Sequence, residues 1–495
     1  MICHHHQCAQ TPGACAAART EQRLETTGTW DARLWATLVI LCGVLFLDGL
    51  DVSMVGVALP SIRSDLGLST TQLQWIVSGY VLGYGGLLLL GGRCADLLAR
   101  RRVLLAALSV FTVASLLGGL ASGGFLLIAT RFLKGASAAF TAPASLSMIT
   151  TTFPEGPARN KALSVYTACG ASGFSLGLVL GGLLTEIGWR WTFLLPVPIA
   201  FAILVAAPRL LPRDGAFRFD RRAFDFAGAA TVTVGMLLLV RTVVRAPTVG
   251  WGAPATVGGL AIAACLLVAF VAIERRVSQP LVRLGILRSP SLRRANLGAM
   301  ATLGSYISFQ FVATLYMQGL LGWSAIETAL AFLPAGLIVA FGGPRVGPLA
   351  LRYGTERLLV VGALAFVIAY ALFIRIDGDS SYVGVMLPSI LLVGIGFALC
   401  FPSLNIQATA GVANEEQGLA SGLLSTSFQV GGAIVLAIVS AVVTSETGAA
   451  TDAASLLDGY RPALAVTALV ALLGFAVALS GVMRSSRSTA PATAR

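Results

Sequence analysis

The segment GGRCADLLARRRVLL (91–105) has an echo 255 residues further on in VGPLALRYGTERLL (346–359), where Gly92 falls on Gly347, Ala95 on Ala350, Arg102 on Arg357 and Leu104 on Leu359. A second trace at nearly the same offset sets KALSV (161–165) beside QGLAS (417–421). Each match is weak alone. Together they point to two halves related by duplication, an architecture of membrane transporters.

The sequence around these loops is apolar. The chain is 56% hydrophobic and 11% charged, against roughly 25% charged residues in ordinary soluble domains. Stretches of about 20 apolar residues, the length that crosses a hydrocarbon core, recur from Leu34 to Met483. About fourteen are expected, over 34–58, 73–92, 103–122, 125–147, 162–184, 190–207, 224–245, 254–273, 296–318, 326–343, 357–375, 384–406, 418–443 and 463–483. The expected fold is an all-α integral membrane protein. Residues 1–33 form a disordered cytoplasmic tail, 34–207 an N-terminal six-helix bundle, and 208–294 a linker carrying two extra transmembrane helices. A C-terminal six-helix bundle follows over 295–483, and 484–495 is a second cytoplasmic tail.

The net charge of +12 raises the question of nucleic acid, but its distribution excludes that partner. Of the 34 Arg and Lys residues, only Arg63, Arg190, Arg375 and Arg461 fall in loops on one side, and Arg131, Lys134, Arg241 and Arg245 fall within spans; the other 26 lie on the opposite side. By the positive-inside rule this places both termini in the cytoplasm of a multi-pass protein of the cell membrane. The first 33 residues lack the apolar core of a cleavable signal peptide. Cys3, Cys8, Cys15 and His4 to His6 match no closed zinc-ligand spacing, so no metal is expected there. Cys42, Cys94, Cys169, Cys265 and Cys400 lie in or beside helices and imply no disulfide framework.

Polarity inside the spans is uneven. The third, sixth, eleventh and fourteenth carry almost nothing more polar than Ser, Thr or a lone Tyr, whereas others carry Asp48, Asp51, Arg131, Lys134, Gln310, Gln318, Asn405 and Gln429. Polar groups at membrane depth normally face a bundle interior or wet cavity. The polar helices should line a central pathway and the bland ones face lipid.

Asp48 and Asp51 are spaced i, i+3, as are Arg131 and Lys134, so each pair occupies one helix face. At about 1.5 Å per residue, Asp51 sits roughly 10 Å and Asp48 roughly 15 Å from the outer end of the first helix. Arg131 and Lys134 lie at similar depths, about 9 Å and 13–14 Å, on the antiparallel fourth. The expected arrangement is a two-rung ladder, Asp51 with Arg131 and Asp48 with Lys134. One reading makes it a permanent clamp; the other has Asp51 exchange a proton, releasing Arg131 as the protein switches. Both readings extend to Asp48 and Lys134. No histidine lies in the spans, which excludes a histidine relay.

Several motifs resemble those of the major facilitator superfamily, and specifically its fourteen-helix drug:proton antiporter branch, over about residues 34 to 483. LDVSMVGVALP (50–60) resembles the first-helix motif, GRCADLLARRRVL (92–104) the superfamily loop motif, RFLKG (131–135) the fourth-helix motif and GFSLGLVLGG (173–182) the antiporter motif. Leu97, Ala99, Lys134 and Leu178 depart from the family pattern, and Asp48 is an acid additional to the family's Asp51. The resemblance implies that Asp96 with Arg100, Arg101 and Arg102 latches the two halves in the outward-open state, with Asp96 near the N-terminus of the thirteenth helix. Leu351 at the equivalent position of the repeat leaves one half with such a latch.

Gly173, Gly177 and Gly181, with Gly182 beside them, let another helix approach closely; a sliding or bending contact is the functional addition. Tyr80, Tyr84, Gln310, Asn405 and Gln429 are the residues expected at a substrate cavity, with ordinary packing the alternative for the two tyrosines. The function expected is proton-coupled export of small amphipathic compounds, drugs or natural products, by alternating access. The proton gradient serves as energy source, no cofactor is needed, and the transporter acts as a monomer. No G-x-x-x-x-G-K-[ST] phosphate loop is present, which excludes ATP as the direct source. A proton-linked importer or uniporter of the same fold is the nearest rival; a membrane enzyme or lipid flippase is the rival from another class, and an enzyme would need a catalytic or metal cluster that the spans lack.

Overall fold

The computed structural model describes residues 30–68, 70–212, 225–277, 284–378, 380–413, 416–447 and 453–488. The Cys/His segment of the N-terminal tail, most of the linker before the seventh span and the end of the C-terminal tail lie outside these residues. Every regular element among the described residues is helical, because in apolar runs of this length only a helix satisfies each backbone N–H and C=O within its own segment.

In chain order the helices are α1 (Ala32–Leu66), α2 (Thr70–Leu97), α3 (Arg100–Gly119), α4 (Gly124–Thr152), α5 (Pro157–Ile187), α6 (Trp191–Leu210), α7 (Phe226–Val249) and α8 (Pro254–Glu274). There follow α9 (Pro290–Thr314), α10 (Ala325–Gly342, continued by a 3-10 segment and a short helix to Tyr353), α11 (Thr355–Phe373), α12 (Leu387–Thr409), α13 (Gln417–Thr447) and α14 (Ala453–Ser488). The Asp31 carboxylate accepts from the Leu34 N–H at 2.8 Å to start α1, and Gly67 ends it at φ +61°, a left-handed backbone that a Cβ would oppose. Ser324 and Glu327 form a reciprocal capping box at the start of α10.

Twelve helices among the described residues are long and apolar enough to cross a membrane. About fourteen are expected; the two helices outside these twelve are α7, with a described apolar stretch over Ala227–Val243, and α9 (Pro290–Thr314).

Helix packing has an internal two-fold. In the first half α1 lies against α5, and in the second α9 lies against α13 in the same way, the backbone of Gly431 approaching Met300 as Gly173 approaches Phe46. Exchanging α2 with α10 and α5 with α13 maps the α2–α13 contact onto the α5–α10 contact, and these pairs join the halves. Separate cores fill each half, one centred on Leu38, Leu104, Phe111 and Tyr166, the other on Phe309, Phe366, Tyr370 and Leu424. Helix α7 lies against α2 and α13, with Val240 and Leu237 at Gly85 and Gly86, so the inserted pair covers the junction between halves. Val110, Val113, Phe201, Val361, Ile368, Leu472 and Leu473 leave α3, α6, α11 and α14 with exposed apolar faces, as expected for the lipid-facing helices.

At the end of α1 the Asp65 carboxylate accepts from the Trp189 indole N–H at 2.9 Å and from Arg190 at 2.7 Å, and Arg190 lies 4.5 Å over the Trp189 ring. The indole and then the guanidinium hold the Asp65 carboxyl below its usual range. A depressed carboxyl contributes stability that is present above its unfolded pKa of about 4 and lost as pH falls through the folded value. The Tm of the detergent-solubilised protein should therefore drop more steeply below about pH 4 in wild type than in Asp65→Asn, and parallel curves would discount this contact.

Candidate functional site

The spacing that puts Asp48 and Asp51 on one face of α1 turns them toward α4, and α4 answers with Arg131, Lys134 and, two turns beyond Lys134, Thr141. Arg131 Nη1 lies 2.6 Å from Asp51 Oδ2, and its Nε donates to the Ile76 carbonyl of α2 at 3.2 Å. The guanidinium sits 4.7 Å over the Tyr80 ring, with Tyr84 edge-on to that ring at 5.9 Å. Lys134 Nζ contacts the other Asp51 oxygen, Oδ1, between the rings of Phe111 from α3 at 4.9 Å and Phe193 from α6 at 5.1 Å. Asp51 and Lys134 are 0% exposed and Arg131 2%.

The first rung of the expected ladder is present. The second is not: Lys134 pairs with Asp51, which holds both cations, and among the described residues Asp48 Oδ2 accepts only from the Thr141 hydroxyl at 3.4 Å. Residue counting along a helix gives depth as if the helices were straight rods starting level. In the structure Asp51 lies between the levels of Arg131 and Lys134, and Asp48 lies level with Thr141. The lysine departure from the family pattern is thus matched by aromatic rings and a shared carboxylate rather than by the extra acid.

The glycine stripe of α5 packs on another side of α1. A Cβ on Gly173 would fall 2.2 Å from the Phe46 carbonyl oxygen, one on Gly177 2.6 Å from that of Leu50, and one on Gly181 2.9 Å from the Met54 Cα. Gly182 faces elsewhere, toward Ile326 of α10 at 3.7 Å.

The loop motif lies where the halves meet. Gly92 brings the end of α2 against Gly418 and Gly422 at the start of α13, and Arg101 donates to the Pro208 carbonyl at the end of α6. Arg100 is half-buried and Arg102 exposed; Asp96 is in the last turn of α2, its side chain outside the described set. At the same end, Gly347 approaches the Asn160 backbone and the Gly411 N–H donates to Glu155 at 3.0 Å, both across the halves. Nothing in the sequence marked Glu155 for this contact.

Of the residues expected at a substrate cavity, Tyr80 belongs to the charge cluster, and Gln310 lines a narrow cleft between the halves with Phe174, Leu178 and Phe332. Gln429 is half-buried on α13. Asn405 is buried and donates to the Phe401 carbonyl of its own helix at 2.8 Å.

Residues 41–436 match the family model of the Major Facilitator Superfamily. The chain belongs to this superfamily. It is 37% identical over 482 residues, 97% of either chain, to a cephamycin export protein of Amycolatopsis lactamdurans. It is also 37% identical to a puromycin resistance protein of Streptomyces alboniger, with 93% of each chain covered, and 30% identical to a tetracenomycin C resistance and export protein of Streptomyces glaucescens, with 84% and 77% covered. Among solved structures, a human organic anion transporter shares the fold at a TM-score of 0.65 and 17% identity, over 91% of this chain and 100% of that one. The protein is a multi-pass membrane transporter, not an enzyme, and its relatives are the antibiotic export and resistance proteins expected of the drug-efflux branch.

Proposed function

We propose that the protein exports small amphipathic compounds of the natural-product type in exchange for protons, acting as a monomer in the cell membrane with both termini cytoplasmic. The observation that carries the reading is the cluster Asp48, Asp51, Arg131 and Lys134: two carboxylates and two cations buried at membrane depth in one half of a transporter. An arrangement so costly to insert is the expected signature of a proton or substrate pathway. The relatives named for cephamycin, puromycin and tetracenomycin C support the substrate class and the outward direction.

In this reading the bundles 34–207 and 295–483 rock about α2–α13 and α5–α10, with 208–294 as linker. The approaches at Gly92, Gly347 and Glu155 hold the cytoplasmic ends together, and the motif Asp96, Arg100, Arg101 and Arg102 lies at that closure as its latch. Gly173, Gly177 and Gly181 form the close contact about which α1 moves on α5. Tyr84, Gln310 and Gln429 are offered to the substrate.

Puromycin supplies the test. Proteoliposomes with an acidic interior should take up puromycin several-fold above protein-free liposomes, and a protonophore should abolish the difference. Protein-dependent uptake that instead requires an acidic exterior would establish the symport rival.

A further inference from the structure

The charge cluster treats its two acids unequally. Both oxygens of Asp51 are held by cations, Oδ2 by Arg131 and Oδ1 by Lys134, and the residue is fully enclosed. Among the described residues Asp48 has no cation in contact; its one polar partner there is the Thr141 hydroxyl at the long distance of 3.4 Å, and it keeps 8% of its surface exposed. Around Asp48 stand Asp51 on its own helix, Lys134 from α4, Tyr80 and Tyr84 from α2, and Tyr166 from α5.

Protonating Asp51 would break two charge-assisted contacts at once and strand two cations in the core. Protonating Asp48 asks only that the Thr141 hydroxyl turn from donor to acceptor, at a carboxyl that keeps 8% of its surface exposed where Asp51 keeps none. The hydroxyl already donates to the Ala138 carbonyl at 3.3 Å as an alternative, so releasing the Asp48 oxygen leaves no donor stranded.

We infer that Asp48 is the carboxyl that exchanges the transported proton, and that Asp51 is a fixed counter-ion holding Arg131 and Lys134 together. The assignment rests on the proton-coupled reading above and reverses the sequence expectation that Asp51 titrates. The proton is taken from water on one side onto Asp48 Oδ2 and returned to water on the other. While it is bound, one negative charge faces two positive ones, and this surplus is what the conformational change responds to.

Infrared difference spectra of the purified full-length protein between acid and alkaline pH, recorded without substrate, test the assignment. The carbonyl band of a protonated buried carboxylic acid should be present in wild type, lost in Asp48→Asn and shifted rather than lost in Asp48→Glu. It should survive in the charge-compensated double variant Asp51→Asn/Lys134→Met. A band that persists unchanged in Asp48→Asn, disappears in the double variant, or is absent from wild type overturns the assignment. Because this readout needs no substrate, failure of puromycin exchange with the band behaving as described would defeat the export reading alone, whereas exchange with the band unchanged in Asp48→Asn would defeat only the role of Asp48.

Discussion

Asp51→Asn is expected to remove most of the folded protein. The substitution keeps the shape of the side chain but leaves Arg131 and Lys134, both inside the core, with no carboxylate in contact. Breaking a buried pair by deleting one partner costs about 3–5 kcal/mol, a large share of the 5–15 kcal/mol typical of a whole domain. Two cations depend on this one acid. The yield of monodisperse protein in size-exclusion chromatography should fall sharply, and the Tm of what remains should drop by many degrees. The double variant Asp51→Asn/Lys134→Met should recover part of the loss, since methionine fills the slot between Phe111 and Phe193 without charge. Asp48→Asn should behave close to wild type in the same assay, since it removes only the acceptor of a long hydrogen bond. Equal yields for Asp51→Asn and Asp48→Asn would refute the unequal division of the cluster.

Much of this site could be read in the sequence, and the misses have physical causes. The Asp51–Arg131 contact followed from i, i+3 spacing and a rough depth match, because those quantities belong to single helices. The partner of Lys134 depended on how α4 is set along α1, which spacing does not encode. Phe111 and Phe193 carry no signal in the sequence, because the lack of polarity in α3 and α6 points those helices to lipid, yet each turns one aromatic inward over the lysine. Thr141 carried no signal, since a threonine inside a helix is most often bonded to its own backbone. The fold was more legible: the repeat at an offset of 255 reappears as the exchange of α2 with α10 and of α5 with α13. Twelve of the expected spans are long and apolar enough among the described residues, with α7 and α9 the two helices outside that number.

Gly173→Ala and Gly182→Ala, nine positions apart on α5, should act in opposite directions. An alanine Cβ at 173 would lie 2.2 Å from the Phe46 carbonyl oxygen, and 2.9 Å from the Phe46 Cα. These are backbone atoms of a hydrogen-bonded helix and cannot yield as a side-chain tip can, so α1 and α5 must separate. Overpacking of this kind costs about 1–3 kcal/mol, and valine at the same position should cost more. At 182 the nearest atoms are those of the Ile326 side chain at 3.7 Å, an ordinary contact. There the helix gains the roughly 0.5–1 kcal/mol by which alanine exceeds glycine in a helix interior. The Tm should fall for Gly173→Ala and hold or rise for Gly182→Ala. The consequence reaches the charge cluster: at about 100° per residue, Phe46 and Leu50 stand roughly 160° around α1 from Asp48 and about 100–140° from Asp51. A wedge that pushes α1 away from α5 therefore drives both carboxylates toward α4. Gly177→Ala, at the level of Leu50, should alter the carbonyl band of the protonated carboxyl even where the protein still folds. A variant with lowered Tm and an unchanged band would mean that the α1–α5 contact supports the bundle without tuning the acid.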